Sequence, residues 1–517
     1  MRAQSPNKVT PEALESKLRE HPGVKEAVVV SKESNSGEKY LVGCIVPDHD
    51  YLDRLFTDAT EQRRRLQKWQ KTFNLSQLGK QATPEPGFNI GGWNSSYTRK
   101  PIPAEEMREW VDATVREIAT FHPSEVLEIG CGTGLLLLRI SPGCKRYVGT
   151  DFAPEVLKKL KPQMEALGGE WSGVSVLERS AEDFEGLPRN SFDTVIINSV
   201  THYFPSAKYL ALVLERAVDV VRPGGRIFVG DVRNLDLLEP YAVSIELFQA
   251  AASMNASELR ERVRRRVTFE DQLVISPAFF LALQRRLPKI MRVEIKPRRG
   301  RFDNELTRFR YNAILHLDSA GLTAEKPDWL PWTDLLTLGA MRERLQTKKD
   351  DVLAIQAVTN ARNEKDVEAL TMLRQFEGTA EELRTVVRDA KTRGINPQDL
   401  WSLGQELGYD VDLSWTACAP DGSFDMVFRR GVVDDHSAGP QIGWPQPANV
   451  GNDFNRYTTK PGRAVLREIL IQQLHDCSAE VLAKDSTALT FVTFDMLPRT
   501  AEGEVDRGAL AASASPS

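Results

Sequence analysis

Two acidic residues flank a glycine-rich turn and could bind a charged ligand. Residues 126–134 read V-L-E-I-G-C-G-T-G, so Glu128 precedes three glycines within five residues, and Asp151 ends the next apolar run, 21 residues after Gly130. Glycines allow a tight turn and a close approach of the backbone to a ligand. A carboxylate before the turn repels a pyrophosphate but accepts a hydrogen bond from a cationic amino-acid group, and an acid at the next strand end accepts both ribose hydroxyls. A ribose and a cationic amino-acid group without phosphate predict S-adenosyl-L-methionine as the ligand.

The apolar pattern predicts the elements that position these acids. Residues 126–129 are typical of a buried strand in a parallel sheet, and residues 135–140 are predicted to be the helix after the turn. Strands and helices alternate over residues 124–231, which predicts a doubly wound, Rossmann-like α/β fold. Ligands bind outside the carboxyl ends of parallel strands, so the later strand ends at 180–183 and 198–200 should border the same pocket.

A loop rich in aromatic and amide side chains precedes this fold. Residues 87–98 read G-F-N-I-G-G-W-N-S-S-Y-T and show neither helical nor strand periodicity. Exposing such a loop is unfavourable, because aromatic side chains gain stability on burial. The loop is either a lid over the predicted cofactor site or a surface loop packed on the core.

The composition excludes several functional classes. At 517 residues the chain should contain more than one domain. A net charge of −5 argues against nucleic-acid binding. Five cysteines without paired spacing predict neither a metal site nor a disulfide framework, as in a reducing compartment. No apolar run of about 18 residues and no N-terminal signal pattern occur, so we expect a cytoplasmic protein without a membrane partner.

Residues 236–300 are predicted to be helical and are strongly basic, with five arginines between positions 260 and 266. Two interpretations are open for this segment. The arginines form solvated helix faces balanced by nearby glutamates, or they dock an acidic partner. An alternating strand is predicted at residues 312–317, and residues 330–430 are predicted to continue as α/β structure.

The middle of the chain, residues 87–435, resembles the N-methyltransferase domains that interrupt adenylation domains in nonribosomal peptide synthetases. The motifs that carry the resemblance are G-F-N-I at 87–90, W-N-S-S-Y at 93–97, E-I-G-C-G-T-G at 128–134, N-S-V-x-x-Y-F-P at 198–205, G-D-V-R at 230–233 and N-E-L-T-R at 304–308. The resemblance implies the class I fold of S-adenosyl-L-methionine-dependent methyltransferases.

The two chain ends resemble the two halves of the adenylation C-terminal subdomain. Residues 1–48 contain H-P-G-V-K-E-A-V-V-V, and residues 463–510 contain L-P-R-T-A-E-G-E-V-D-R. We expect the halves to pack together as a small α+β subdomain, because 48 residues alone bury little surface. The remaining predicted segments are a linker helix at 49–86, a linker at 436–462 and a disordered tail at 511–517.

The motifs and the resemblance together predict the residues of the site. The predicted cofactor residues are Tyr97, Glu128, Gly130, Cys131, Gly132, Gly134, Asp151, Phe152, Ala181, Glu182, Asp183, Asn198, Ser199, Val200 and Tyr203. Either Glu182 or Asp183 is expected to accept the adenine amino group. The predicted substrate residues are Trp93, Asn94, His202, Arg233, Asn304, Glu305 and Arg308. The predicted catalytic residues are His202, Tyr97 and Glu305.

Two positions depart from the family pattern. Glu504 replaces the lysine that stabilises the adenylation transition state, and a carboxylate there repels ATP phosphates. The sequence also has no segment like the large N-terminal adenylation subdomain, so adenylation is expected to be lost, which argues against an adenylating ligase. His202 replaces the family's glutamine. It is either a polar wall or, with an ordinary pKa near 6.5, a group that orients or deprotonates the substrate.

The expected function is methyl transfer to the α-amine of an amino acid or of an aminoacyl thioester on a carrier protein, in nonribosomal peptide or related secondary-metabolite biosynthesis. A peptidyl carrier protein or a synthetase is a candidate partner. An α-amine with a pKa of about 8 is partly neutral near neutral pH, so placement rather than a strong base should supply the rate. Two alternatives are open: an O-methyltransferase acting on a small natural-product intermediate, and a catalytically inactive scaffold partner of a synthetase.

Overall fold

The computed structural model describes residues 10–33, 39–48, 50–52, 67–71, 85, 87–167, 171–318, 326–431, 442–482, 488–494, 496–500 and 503–513. The chain divides into two compact units. The terminal unit consists of residues 1–65 and 462–517, and the central unit consists of residues 66–461. The predicted linker helix at 49–86 lies outside the described residues except for 50–52, 67–71 and 85.

The strands, numbered in chain order, are β1 (Val24–Glu33), β2 (Lys39–Pro47), β3 (Glu125–Ile129), β4 (Arg146–Asp151), β5 (Val174–Glu178), β6 (Phe192–Asn198), β7 (Val221–Arg233), β8 (Ile290–Pro297), β9 (Arg310–Leu317), β10 (Trp329–Pro331), β11 (Val352–Val358), β12 (Tyr409–Ser414), β13 (Phe424–Arg430) and β14 (Leu489–Thr493).

The α-helices are α1 (Pro11–Arg19), α2 (Ala104–Ala119), α3 (Leu137–Ile140), α4 (Pro154–Leu167), α5 (Ala207–Val220), α6 (Leu238–Gln249), α7 (Ala256–Thr268), α8 (Ala278–Arg286), α9 (Glu305–Arg308), α10 (Leu338–Thr347), α11 (Glu364–Leu373), α12 (Ala380–Asp389), α13 (Pro397–Leu407), α14 (Arg463–Leu482) and α15 (Arg507–Ser513).

A seven-stranded sheet organises the central unit, in the order β5-β4-β3-β6-β7-β9-β8. Strands β3 to β7 pair in parallel, and β9 is antiparallel to both β7 and β8. The chain runs outward from β3 through β4 to β5 and then returns to β6 on the other side of β3. This order confirms the predicted doubly wound, Rossmann-like fold and places the switch point, where such sheets bind ligands, between β3 and β6.

Both faces of this sheet are covered, which explains why β3 is an almost continuous apolar run. On one face Leu127 and Ile129 belong to a buried core that includes Leu214 of α5. On the other face Val126 packs in a second core with Leu137 of α3. The sheet is therefore a rigid base for side chains at its carboxyl edge.

Two predicted helical segments differ in the structure. The helix after the glycine turn begins at Leu137 instead of residue 135, because residues 135–136 still form a turn. Within the predicted helical stretch 236–300, residues Ile290–Pro297 form strand β8 instead. Its buried residues alternate with charged ones, a period of two that indicates a strand, and the charges obscured it at the sequence level.

The basic helix α7 is neutralised inside the central unit. Arg262 and Arg266 donate to Glu246 of α6 at 2.7 and 2.6 Å. Arg260 donates to the carbonyl oxygens of Leu373 and Phe376 at 3.0 and 2.7 Å. These contacts favour the interpretation of balanced helix faces over a docking surface.

Residues 329–430 add a four-stranded sheet to the central unit, in the order β10-β11-β13-β12. The buried Arg362 precedes α11 and donates to the carbonyl oxygens of Arg298 and Gly300 at 2.7 and 2.6 Å. Both carbonyls follow β8, so this arginine fastens the added layer to the edge of the main sheet.

The predicted linker at 436–462 is packed where the structure describes it, from residue 442 onward. Phe454–Tyr457 forms a 3-10 turn, and the ring of Phe454 lies 5.0 Å from that of Phe279. The Ser276 N–H donates to the Tyr457 carbonyl at 2.8 Å. The composition indicated a linker, but the aromatic residues are buried in the core of the unit.

The terminal unit contains one three-stranded sheet, in the order β1-β2-β14, so both chain ends contribute to it. Strand β14 pairs in parallel with β2, while β1 and β2 are antiparallel. Glu15 of α1 is buried and accepts hydrogen bonds from the Val29 N–H at 2.8 Å and from Arg507 at 2.7 Å. Helix α15 reaches Ser513, three residues into the predicted disordered tail at 511–517, and residues 514–517 lie outside the described part.

None of the helices in the described part of the chain combines the length and the apolar character that crossing a bilayer requires. In the same segments, no group of three or more His, Cys, Asp or Glu side chains is placed to hold a metal ion.

Candidate active site

A cavity of about 690 Å³ lies at the carboxyl edge of the main sheet. It gathers most of the sequence-predicted residues from seven separate segments of the chain. The predicted residues that line it are Trp93, Asn94, Glu128, Gly130, Cys131, Gly132, Asp151, Phe152, Ala181, Asn198, Ser199, Val200, His202, Tyr203, Arg233 and Glu305.

The glycine turn has the shape that a ligand on the backbone requires. Gly130 has φ +75°, and a Cβ atom there would lie 2.4 Å from a methyl group of Val200. A Cβ atom on Gly132, at φ +53°, would meet no protein atom within 4 Å. Gly130 is therefore needed for packing, whereas Gly132 leaves open space on the cavity side of the turn.

Glu128 is a buried carboxylate on the cavity wall, and its carboxylate accepts a hydrogen bond from the Tyr147 hydroxyl at 2.8 Å. Burial, together with nearby Asp151, raises the pKa of Glu128 to about 7. A cationic group in the cavity would stabilise the charged carboxylate. Glu128 therefore fits the cationic amino-acid end of S-adenosyl-L-methionine.

Asp151 lies at the end of β4, where the two hydroxyls of a ribose would need acceptors. Its Oδ2 accepts from the Gly132 N–H at 3.0 Å and its Oδ1 from the Ala153 N–H at 2.9 Å. These bonds fix the carboxylate towards the cavity and leave further lone pairs on both oxygens. Burial raises the pKa of Asp151 from its ordinary value, partly offset by the backbone hydrogen bonds.

The aromatic loop at residues 87–98 is tied down over the cavity. Ser96 donates to Glu305 through its backbone N–H at 2.8 Å and through its hydroxyl at 2.9 Å. Tyr241 of α6 donates to the Ser96 hydroxyl at 2.7 Å, and Gln249 donates to the carbonyls of Ser96 and Tyr97 at 3.0 and 2.9 Å. The loop is therefore a structural part of the cavity wall.

Asp231 organises the floor of the cavity and was not predicted as a site residue. It is fully buried at φ +59° and accepts from Ser199 at 2.7 Å, Trp110 at 3.1 Å and Arg310 at 2.6 Å. Burial alone would raise the pKa of Asp231, but Arg310 and Arg298 hold it below its ordinary value. The sequence motif G-D-V-R contained this residue, but its partners come from distant segments.

His202 lies in the cavity wall. Burial and the neighbouring Arg310 lower the pKa of His202 to about 3. An imidazole of that pKa is neutral at physiological pH and binds a proton only weakly, which favours the polar-wall interpretation over deprotonation of the substrate. Its Nδ1 is buried and has no hydrogen-bond partner among the described residues.

Six predicted site residues do not line the cavity. Tyr97 points away: its hydroxyl bonds Ser244 at 2.8 Å and its ring packs against Phe248. Gly134 packs against Leu160 instead of facing the ligand space. The structure therefore does not support the predicted cofactor contacts of Tyr97 and Gly134, or the predicted catalytic role of Tyr97.

The other four are bonded to protein groups, and among the partners named here only Tyr209, which bonds Glu182, lines the cavity. Glu182 accepts a hydrogen bond from the Tyr209 hydroxyl, and Asp183 accepts from the Glu185 N–H at 3.0 Å. Asn304 caps α9 by accepting from the Leu306 N–H at 2.9 Å. Arg308 pairs with Asp366. Each side chain is used structurally and none of the four lines the cavity, which argues against the adenine contact and the substrate contacts predicted for them.

Arg233 does line the cavity, but the N–H groups of its guanidinium already donate to protein acceptors. It makes two parallel bonds to Glu270, at 2.9 and 2.8 Å, and a third to Gln272 at 2.8 Å. Sequence reasoning missed several other lining residues, among them Trp69, Trp110, Tyr241, Glu270 and Arg310. No periodicity or motif marked them, because they meet the site only through the fold.

Comparison with known proteins agrees with this geometry. Residues 127–227 match the family model described as a methyltransferase domain. Chondramide synthase of Chondromyces crocatus is 37% identical over 97% of this chain, which spans 13% of that synthase. A probable non-canonical nonribosomal peptide synthetase of Salinispora arenicola is 31% identical over 97% of this chain, which spans 6% of that protein.

The chain contains a methyltransferase domain of the kind found in nonribosomal peptide synthetases. A nonribosomal peptide synthetase of Aspergillus flavus is likewise 28% identical over 98% of the chain, which spans 7% of its length. Among solved structures, N-methyltransferase NodS from Bradyrhizobium japonicum aligns with 40% of this chain and 87% of its own, at 15% identity and a TM-score of 0.28. A TM-score this low supports no conclusion about the fold, which is shown by the order of the strands.

This methyltransferase uses S-adenosyl-L-methionine, which supplies an activated methyl group when it is bound. The residues present fit it: Glu128 would be available to a cationic group, Asp151 to two ribose hydroxyls, and Gly132 leaves room above the turn. The remaining cavity wall, with Trp93, His202 and Glu305, is available to an acceptor.

Proposed function

We propose that this methyltransferase transfers a methyl group to the α-amine of an amino acid or of an aminoacyl thioester on a carrier protein, in the biosynthesis of a nonribosomal peptide or a related secondary metabolite. The observation that carries the proposal is the environment of Glu305. This carboxylate lines the same cavity as Glu128 and Asp151 and is 5% exposed.

Glu305 has hydrogen-bond donors but no ion-pair partner within the described residues. Its donors are the Ser96 N–H and hydroxyl, and the Tyr241 hydroxyl, which donates to Ser96, lies 3.4 Å from it. Four arginines line the cavity, and two of them, Arg233 and Arg310, lie close enough to interact electrostatically with Glu305. Each of these two is ion-paired with another acid, Glu270 or Asp231. A buried carboxylate that shares its nearest cations with other acids can accept a further hydrogen bond, and an amine N–H would supply it.

Placement can account for most of the rate. An α-amine with a pKa of about 8 has a neutral fraction near neutral pH, so a strong base is unnecessary. Holding that amine against Glu305, between the aromatic walls of Trp93 and Tyr203, restricts it to productive orientations. Effective molarities of such arrangements correspond to about 7–11 kcal/mol. The aromatic faces also favour a cation beside them.

The same cavity fits an oxygen acceptor less well. A hydroxyl must lose its proton during transfer, and that step needs a base whose pKa lies near the working pH. His202 has a pKa of about 3, so it does not meet this requirement. An amine acceptor needs no such group.

For the terminal unit, we propose an adenylation-type subdomain that no longer activates acids. Glu504 stands where the family has a lysine and lies exposed before α15. Its charge is opposite to the one that ATP phosphates need. An ATP–pyrophosphate exchange assay tests this proposal: exchange that depends on an amino acid would contradict it.

The methyl-transfer proposal is tested with methyl-labelled S-adenosyl-L-methionine. The chain is incubated with free amino acids, their methyl esters, and carrier proteins loaded with aminoacyl groups. Mass spectrometry is expected to find one or more labelled methyl groups on the α-nitrogen of at least one acceptor. Label on oxygen, or no transfer to any amine by a chain that binds the cofactor, would contradict the proposal.

A further inference from the structure

Two arginines lie side by side at the acceptor end of the cavity, and they are not equivalent. Arg233 of β7 and Arg310 of β9 are direct partners across the antiparallel pair, so both side chains point to the same face of the sheet. Both line the cavity. Their difference lies in how many of their N–H groups are already used.

Arg233 is saturated. Its guanidinium makes a two-pronged contact with Glu270 and a further bond to Gln272. A bidentate pair of this kind fixes the plane of the guanidinium and uses N–H groups on both of its terminal nitrogens. Arg233 therefore has little capacity left for a ligand.

Arg310 is not saturated. Within the described part of the chain its side chain makes one hydrogen bond, from Nη1 to Oδ2 of Asp231 at 2.6 Å. The other oxygen of Asp231, Oδ1, accepts from Trp110 and lies 3.5 Å from Arg298, and Arg310 makes no bond to it. A guanidinium carries five N–H donors, so most of those on Arg310 have no protein acceptor.

These donors belong to a side chain that lines the cavity and is itself largely buried. The Arg310 side chain is 13% exposed. His202, whose Nδ1 also has no partner among the described residues, lines the same cavity. Buried polar groups without partners are rare in folded proteins, and at a cavity they are satisfied by a ligand.

We propose that Arg310 binds the carbonyl or carboxylate oxygen of the methyl acceptor. This inference rests on the proposed function, because it completes a matched pair: Glu305 receives the α-amine N–H, and Arg310 receives the oxygen on the neighbouring carbon. An α-amino carbonyl group satisfies both residues at once. A simple amine satisfies only Glu305, so Arg310 selects aminoacyl groups over other amines.

The test measures acceptor binding in the S-adenosylhomocysteine complex by calorimetry, so that it does not depend on turnover. The probes are L-amino acid methyl esters and the O-methyl ethers of the matching amino alcohols, in which CH2 replaces the carbonyl. Free amino acids form a third arm, because tighter binding of the acid than of the ester identifies a carboxylate as the natural oxygen. Each probe is measured with the wild type, R310K, R310Q and R233K.

We expect the wild type to bind the ester at least tenfold more tightly than the ether. R310K keeps the positive charge opposite Asp231 but lacks the planar guanidinium. We therefore expect the ratio of ester affinity to ether affinity to fall about tenfold in R310K and to stay unchanged in R233K. Comparing variants cancels the difference in amine basicity between ester and ether. R310Q serves the same purpose if R310K does not fold, and S-adenosylhomocysteine binding reports the integrity of each variant.

Equal ratios in the wild type and both Arg310 variants, or no preference for the ester in the wild type, would overturn the inference. Failure of the proposed function has a different signature, namely the absence of N-methylated product by mass spectrometry. The binding ratios retain their meaning in that case, so the two proposals fail separately.

Discussion

Ser96 and Glu305 are joined by two hydrogen bonds, from the Ser96 N–H at 2.8 Å and from its hydroxyl at 2.9 Å. One residue belongs to the aromatic loop and the other begins α9, more than 200 positions later. The carboxylate proposed to receive the acceptor amine is therefore also the group that holds the loop in place. Binding of the acceptor and the position of the loop depend on the same two oxygens.

The affinity for S-adenosyl-L-methionine should depend on pH through Glu128. Burial raises the pKa of this carboxyl to about 7, and the charged form is the one that pairs with a cation. One pH unit below the pKa, about a tenth of the protein carries the carboxylate. We expect the affinity measured by calorimetry to fall about tenfold from pH 8 to pH 6.

Glu128→Gln should bind the cofactor more weakly and lose that pH dependence. The matched control is Glu125→Gln on the same strand, which pairs with Arg146 and does not line the cavity. The control should behave like the wild type. A pH dependence that survives in Glu128→Gln would show that another group is responsible.

His202 should not titrate in the catalytic pH range. Burial and Arg310 lower its pKa to about 3, so the imidazole is already neutral at pH 5.5 and stays neutral above it. We expect the profile of kcat/KM between pH 5.5 and 9 to have the same shape in the wild type and in His202→Gln. Loss of a limb near pH 6.5 in the variant would restore the histidine as a base.

The chain-end sheet should depend on Glu15. This buried carboxylate accepts from the Val29 N–H and from Arg507, so it links the first and last segments of the chain. Removing a buried acceptor of this kind costs about 1–3 kcal/mol. Hydrogen exchange of the β1 amides should accelerate in Glu15→Ala but not in Glu12→Ala, a control on the exposed face of the same helix. Equal exchange rates of the β1 amides in both variants would contradict this linking role of Glu15.

The sequence predicted the cofactor side of the site better than the acceptor side. Glu128 and Asp151 follow from a rule that depends only on chain order, because consecutive parallel strands end at one edge of the sheet. Both residues also lie close to the glycine turn in the sequence. The structure therefore places both of them in the cavity.

The acceptor side depends on contacts that no local pattern contains. Arg310 reaches Asp231 because β9 pairs antiparallel with β7 across about 80 intervening residues. Tyr97 was predicted in the site from its motif, but its hydroxyl bonds Ser244, and Tyr241 of α6 occupies the wall instead. Strand β8 was read as helix, because charged residues alternate with its apolar ones.

The central claim is that the α-amine of the acceptor is bound by Glu305 and methylated. The most direct measurement is the steady-state kinetics of Glu305→Gln with the best amine acceptor, together with its affinity for S-adenosyl-L-methionine. We predict that KM for the acceptor rises about 10- to 100-fold in this variant, because one charge-assisted hydrogen bond is lost. The cofactor affinity should stay within about twofold of the wild-type value. An unchanged acceptor KM, or a variant that loses the cofactor instead, would contradict it.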